Sequence, residues 1–259
     1  MLLPICFVCW LSVFANEILS FPPEGYTLRW FAALWRQPQF ADGFATSFEV
    51  GVLATAGGLA VGIPASLALV RAELRFREAL NTLLLSPLMV PGIVTGTALY
   101  LFFVDVEMAT ELPLKGSISG LVLGHILITI PWTVRLIAAN LVGVDRAIEE
   151  AAMNLGCPPW KTFLTITLPL IAPALVSGWM LAFTLSLDDL VIASFTTGPG
   201  ATTLPIRIYS EIRLGVKPEI NAVCTVVIAF VALGIVAASL LGKLQPLEHK
   251  RAVRVPAAA

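Results

Sequence analysis

Long apolar runs separated by short polar intervals cover almost the whole chain. Six of them, about 2–19, 46–70, 79–104, 118–140, 170–195 and 219–242, reach or approach the length a helix needs to cross a bilayer, roughly 20 residues. The pattern predicts an all-α protein, a polytopic transmembrane helical bundle with six spans. It would be one membrane domain over 1–259 with its core at 46–242. The first run is the weakest, because Asn16 and Glu17 follow soon after it opens at Met1. A secretory signal would begin with a positive region, and none precedes this run, so an uncleaved first span is the preferred reading. The polar intervals are too short to fold separately. The tail 243–259, basic and then Ala-rich, reads as a frayed end at the inner membrane surface.

Prolines mark where these helices depart from regularity: Pro64 in the second run, Pro87 and Pro91 in the third, Pro131 in the fourth, Pro173 in the fifth. Each removes an intrahelical hydrogen bond, and in lipid the freed carbonyl must find another partner. The third run, with Pro87, Pro91, Gly92 and Gly96, is the most interrupted. Either a kinked helix beside a pathway or ordinary packing irregularity explains it. The small residues Ala54, Ala56, Gly57, Gly58 and Gly62 predict close helix approach.

Composition makes a membrane solvent necessary. Apolar residues are 58% of the chain and charged residues 13%, where a soluble domain carries about a quarter charged. A net charge of −1 without a clustered basic face excludes a nucleic-acid footprint. Cys6, Cys9, Cys157 and Cys224 read as small apolar residues, because the Cys6–Cys9 spacing has no second pair and no histidine nearby. Charge also orients the bundle. With the 141–169 interval inside, ten basic residues fall on the cytoplasmic side, among them Arg71, Arg75, Arg77, Arg146 and Lys161, against six outside. Both termini are then cytoplasmic.

That interval has its own pattern. Asp145 can cap a short helix over 144–155, on which Ile148, Ala151, Ala152 and Leu155 share one face while Glu149 and Glu150 lie toward the polar side. Gly156 permits a left-handed turn, and Pro158 and Pro159 can open a second short helix with Trp160, Phe163, Leu164 and Ile166 on its apolar side. A helix with small residues at its centre can sit deep in a partner's groove, with a carboxylate pairing a basic group. A hairpin lying on the membrane would favour Lys and Arg, whereas 145–150 carries three acids and one Arg.

Glu150, Ala151, Ala152, Gly156, Ile166, Leu168 and Pro169 together spell E-A-A-x3-G-x9-I-x-L-P. This arrangement resembles the cytoplasmic loop with which permease subunits of bacterial ABC importers hold their ATPase. The runs 146–156, 177–189, 198–205 and 215–222 are similar in particular to the spermidine/putrescine branch. The resemblance implies a non-enzymatic subunit that moves polyamines across the inner membrane. Its seven motif residues would dock an ATPase dimer, beside a second permease subunit and beneath a periplasmic or lipid-anchored solute-binding protein. ATP and Mg would be used by that ATPase; the chain has no G-x-x-x-x-G-K-[ST] phosphate loop and is expected to bind no cofactor itself. The resemblance also places 198–218 as an external loop near the binding protein. Alternatives are a permease of the same class for another small solute, a secondary transporter, which would favour inverted repeats, and a membrane-embedded enzyme, which would want titratable clusters at depth.

Asp188 and Asp189 lie within the fifth run, where carboxylates cost at least ~2.5 kcal/mol each and generally face a pathway or a partner. Adjacent helical residues diverge by about 100°, so the pair cannot share one direction. One is expected to line the route and the other to pair with a neighbouring helix or cap a break; a purely structural role at an interfacial helix end stays open. Trp179 and Phe183 could offer ring faces to a passing ammonium, with packing as the alternative. His125, alone in the fourth run, suits an interhelical hydrogen bond better than a metal or proton site.

Overall fold

A computed structural model describes residues 3–16, 21–34, 37–215 and 218–244. In chain order the helices are α1 (Leu3–Leu11), α2 (Arg29–Leu34), α3 (Pro38–Arg71), α4 (Arg77–Leu85), α5 (Gly92–Thr110), α6 (Ile118–Val142), α7 (Arg146–Asn154), α8 (Pro159–Thr162), α9 (Leu168–Asp188), α10 (Val191–Thr196), α11 (Leu204–Leu214) and α12 (Pro218–Leu244). A 3-10 turn covers Ser86–Leu88 and a π turn covers Phe163–Thr167. No strand occurs among the described residues, only isolated bridges at Phe14 with Tyr26 and Gly198 with Ala201. The fold is helical as expected.

Among the described residues four helices are long and apolar enough to cross a membrane: Pro38–Arg71, Gly92–Thr110, Ile118–Val142 and the continuous Pro159–Asp188. The run at 219–242 forms α12, apolar over Pro218–Gly234. The expected crossing at 2–19 is not one helix. α1 stops after 9 residues, about 14 Å of rise, because the chain turns at Ser12, whose hydroxyl donates to the Cys9 carbonyl at 2.6 Å. Residues 17–20 lie outside the described residues, as does the tail from 245 onward. The crossing expected at 79–104 is also displaced. Neither Pro87 nor Pro91 supplies an amide hydrogen, Pro91 is extended at ψ 132°, and a fresh helix starts at Gly92. Pro64, Pro131 and Pro173, by contrast, sit inside helices that continue through them. The stretch expected as an external loop, 198–218, contains helix α11.

The helices gather into two compact units, Gln39–Ser210 and the remainder of the chain. In the terminal unit α12 packs on α1 and α2, the Trp30 indole donates to the Phe14 carbonyl at 2.7 Å, and the Gln37 amide donates to Glu219 at 2.8 Å.

In the central unit α6 is the hub. Small residues of α3 let the two backbones close in, as their spacing predicted. A Cβ on Gly58 would stand 2.5 Å from Thr129 Oγ1, and one on Gly62 would stand 2.6 Å from Thr133 Oγ1. Those hydroxyls donate across the crossing, Thr129 to the Ala54 carbonyl at 3.3 Å and Thr133 to the Gly58 carbonyl at 3.1 Å. Ser66 returns one to Val134 at 3.1 Å. Lipid offers no hydrophobic drive between helices, so close packing and such hydrogen bonds hold them together. Buried Ile137, Leu141 and Ile171 join α6 to α9 at one end of the unit. Buried Val50, Leu121, Ala193 and Ala201 form the core at the other.

Candidate functional site: an exposed hairpin and an acidic cavity

The interval between α6 and α9 folds as its residues predict. Asp145 is extended and accepts from the Ala147 amide at 2.9 Å, capping α7. At the far end Gly156 has φ +90°, and Cys157 donates back to the Ala152 carbonyl at 3.1 Å. That left-handed geometry suits glycine. Pro159 opens α8, where a missing amide hydrogen costs little.

The motif residues divide by exposure. Glu150, Ala151, Gly156 and Pro169 are exposed, while Ala152, Ile166 and Leu168 are half-buried. Beside the exposed members stand Met153, Leu155 and Trp160; Leu155 is 90% exposed. An apolar surface on an otherwise polar hairpin is what a partner's groove would cover. Among the described residues Glu150 pairs with Arg146, at 3.0 Å and largely in solvent. Its neighbour Glu149 turns inward. One oxygen lies 3.2 Å from Arg71 Nε; the other accepts from Arg71 Nη2 at 3.2 Å and from Thr167 at 2.8 Å. Arg71 also donates to the Val144 carbonyl at 3.0 Å. No local spacing could have revealed this, since Arg71 and Glu149 are 78 positions apart.

The second site lies at the other end of α9, 21 residues away and so about 30 Å along its axis. The expected fifth span, 170–195, is interrupted there: Asp189 is extended at ψ 122°, and a separate helix α10 follows. Asp189 Oδ2 accepts from the Ala193 amide at 2.8 Å, satisfying one of the free amides at the start of α10. The same oxygen is 3.5 Å from Nε2 of fully buried His125. His125 Nδ1 lies 3.0 Å from the Leu121 carbonyl. A carbonyl only accepts, so Nδ1 carries a hydrogen and Nε2 is turned to the carboxylate. Gly124 leaves room for this approach, with Ile192 and Thr196 of α10 against it.

Asp188 is left outward. It is exposed and has no hydrogen bond or ion pair among the described residues. With Asp189 it lines a cavity of about 450 Å³ whose wall includes Pro87, Gly92, Thr95 and Trp132. The break in the third run thus forms one side of this cavity. Trp179 and Phe183 are elsewhere. Their rings stack at 5.0 Å, Phe183 meets Phe48 edge-on, and it fills the space over Gly51 of α3. The aromatic ring on the cavity wall is Trp132. No group of three or more His, Cys, Asp or Glu fit to hold a metal occurs among the described residues.

Residues 58–248 match the family described as the binding-protein-dependent transport system inner membrane component. The chain belongs to that family. It is therefore a transport permease component of an inner membrane, not an enzyme. The permease is 41% identical over 213 residues to the putrescine transport system permease protein PotI of Escherichia coli K12, covering 82% of this chain and 75% of the relative. It is 30% identical over 220 residues to the spermidine/putrescine transport system permease protein PotC of the same strain, covering 85% and 81%. Its fold is similar, with a TM-score of 0.69 at 15% identity, to a bacterial ABC transporter involved in import of the acidic polysaccharide alginate, over 95% of this chain and 91% of that one.

Proposed function

We propose that the permease is one membrane subunit of an ATP-driven importer of polyamines, putrescine first among them. The observation that carries the substrate class is the 41% identity to a putrescine permease across 82% of the chain. The cavity supports it: an unpaired carboxylate, Asp188, beside the ring of Trp132 suits an ammonium that has shed its water. Asp189, whose carboxylate accepts from the Ala193 amide of α10, serves the break rather than the cargo.

In this reading the chain crosses the inner membrane six times with both termini in the cytoplasm. It pairs with a second permease subunit, receives substrate from a solute-binding protein outside, and seats its 144–169 hairpin in an ATPase dimer inside. Closure of the ATPases on ATP and Mg switches the cavity between inward- and outward-facing states through that hairpin. The chain itself supplies no nucleotide chemistry.

The test is uptake of labelled putrescine and spermidine by vesicles holding the complete assembly, with unlabelled amines and neutral solutes as competitors. Amine-specific, ATP-dependent uptake that drops in Asp188→Asn at normal protein abundance is expected. Competition by a neutral solute as effective as by putrescine would assign the permease to another cargo.

A further inference from the structure

We infer that Arg71, Glu149 and Thr167 form a joint that carries movement of the docking helix α7 into the membrane helices α3 and α9, and that Arg71 is its positioning residue. The inference rests on the docking reading of the hairpin, since a joint transmits nothing unless a partner grips α7.

The geometry joins four pieces of chain at one point. Arg71 is the last residue of α3, Val144 follows α6, Glu149 lies in α7, and Thr167 closes the π turn that leads into α9. Arg71 spans from the Val144 carbonyl at 3.0 Å to both oxygens of Glu149 at 3.2 Å, and Thr167 donates to Glu149 at 2.8 Å. The Arg71 and Glu149 side chains are 19% and 12% exposed, so water competes weakly for these contacts. A planar guanidinium can hold a carboxylate and a carbonyl at once, which a lysine ammonium on a flexible stem does poorly. The π turn adds a second mark. Its widened hydrogen bonding is rare and recurs where helices must yield or reorient at functional sites. Neither Arg71 nor Thr167 belongs to the outward surface of α7. They face Glu149, the inner neighbour of the exposed Glu150.

A contact that only stabilised the hairpin would change how much complex assembles. A joint changes how much transport follows each ATP hydrolysed. The experiment therefore uses the complete assembly and reads three quantities: ATPase retained on the purified permease, ATP hydrolysis stimulated by loaded binding protein, and amine uptake per ATP. Arg71→Ala is expected to retain the ATPase and its hydrolysis while uptake per ATP falls about tenfold. Arg71→Lys should fall in between. Arg71→Glu should be as defective as Arg71→Ala, and adding Glu149→Arg should restore most of the coupling. Undiminished uptake per ATP in Arg71→Ala overturns the inference, as does loss of ATPase retention in that variant. Where Arg71→Ala fails to accumulate, full coupling in Arg71→Lys, or a charge-swapped pair that assembles normally but stays uncoupled, overturns it equally. Failure of the docking reading is separately visible: Glu150→Lys combined with Gly156→Val would then still retain the ATPase.

Discussion

Two pairs of adjacent acids stand at opposite ends of α9, and each divides its labour in the same way. In the hairpin Glu149 is 12% exposed and tied to Arg71 and Thr167, while Glu150 is 55% exposed and pairs with Arg146. At the cavity Asp189 is 13% exposed, accepts from the Ala193 amide and lies 3.5 Å from His125, while Asp188 lies open. Successive residues on a helix point about 100° apart, so Glu149 and Glu150 face different ways; at Asp189 the helix has ended, and the two acids there both border the cavity but differ in their partners. One anchors and its neighbour faces outward. The pairs differ in what the anchor holds. Glu149 ties α7 to the end of α3; Asp189 stands in the break between α9 and α10 and accepts from an amide of α10.

The sharpest way to break this comparison is at the outer members. Glu150→Lys is expected to weaken ATPase capture by about a hundredfold, as removal of a central interface residue does. Glu149→Gln should leave capture largely intact, because its amide oxygen can still accept from Thr167 and Arg71. Equal loss of capture in pull-down from the two variants would erase the distinction. Next, Asp188→Asn is expected to lower amine uptake about tenfold, the scale of a lost charged hydrogen bond. Asp189→Asn keeps an acceptor for the Ala193 amide and should retain most transport. Uptake assays at matched abundance check both, and identical defects would contradict the assignment. A smaller effect belongs to Asp189→Ala, which removes the acceptor of the Ala193 amide at a cost of about 1 kcal/mol. A lowered Tm with Asp188→Ala unchanged is the expected outcome in thermal melts. The smallest is Arg146→Ala. Its pair with Glu150 is exposed and is worth at most about 0.5 kcal/mol, so helix stability and ATPase capture should hardly change.

How much of this was legible depends on the range of the interaction. The hairpin could be read residue by residue, since Asp145 caps, Gly156 turns and Pro159 restarts within a few positions of each other. The small-residue face of α3 was legible for the same reason, though its partners Thr129 and Thr133 were not. Apolar run lengths found the membrane helices but not their limits. A run shows only that side chains tolerate lipid; it does not show that the chain leaves the helix at Asp189, whose carboxylate accepts from the Ala193 amide and lies 3.5 Å from His125, 64 positions earlier. The hydrogen bond that His125 makes is to Leu121 of its own helix, while its Nε2 only approaches Asp189 at 3.5 Å. Trp179 and Phe183 show the opposite limit. One to two turns before the acids is close in sequence, but that face of α9 meets α3, and the ring at the cavity is Trp132 of α6. Arg71 counted only as an inward-side charge until the fold brought Glu149 to it.

The most direct test of the account places a photo-crosslinking residue at Ala151, the exposed small residue beside Glu150, in cells carrying the whole assembly. The expected product joins the permease to the ATPase subunit from position 151 and not from position 188. Crosslinking of position 151 to lipid alone, or its labelling from outside the cell by a reagent that cannot cross the membrane, would contradict the account.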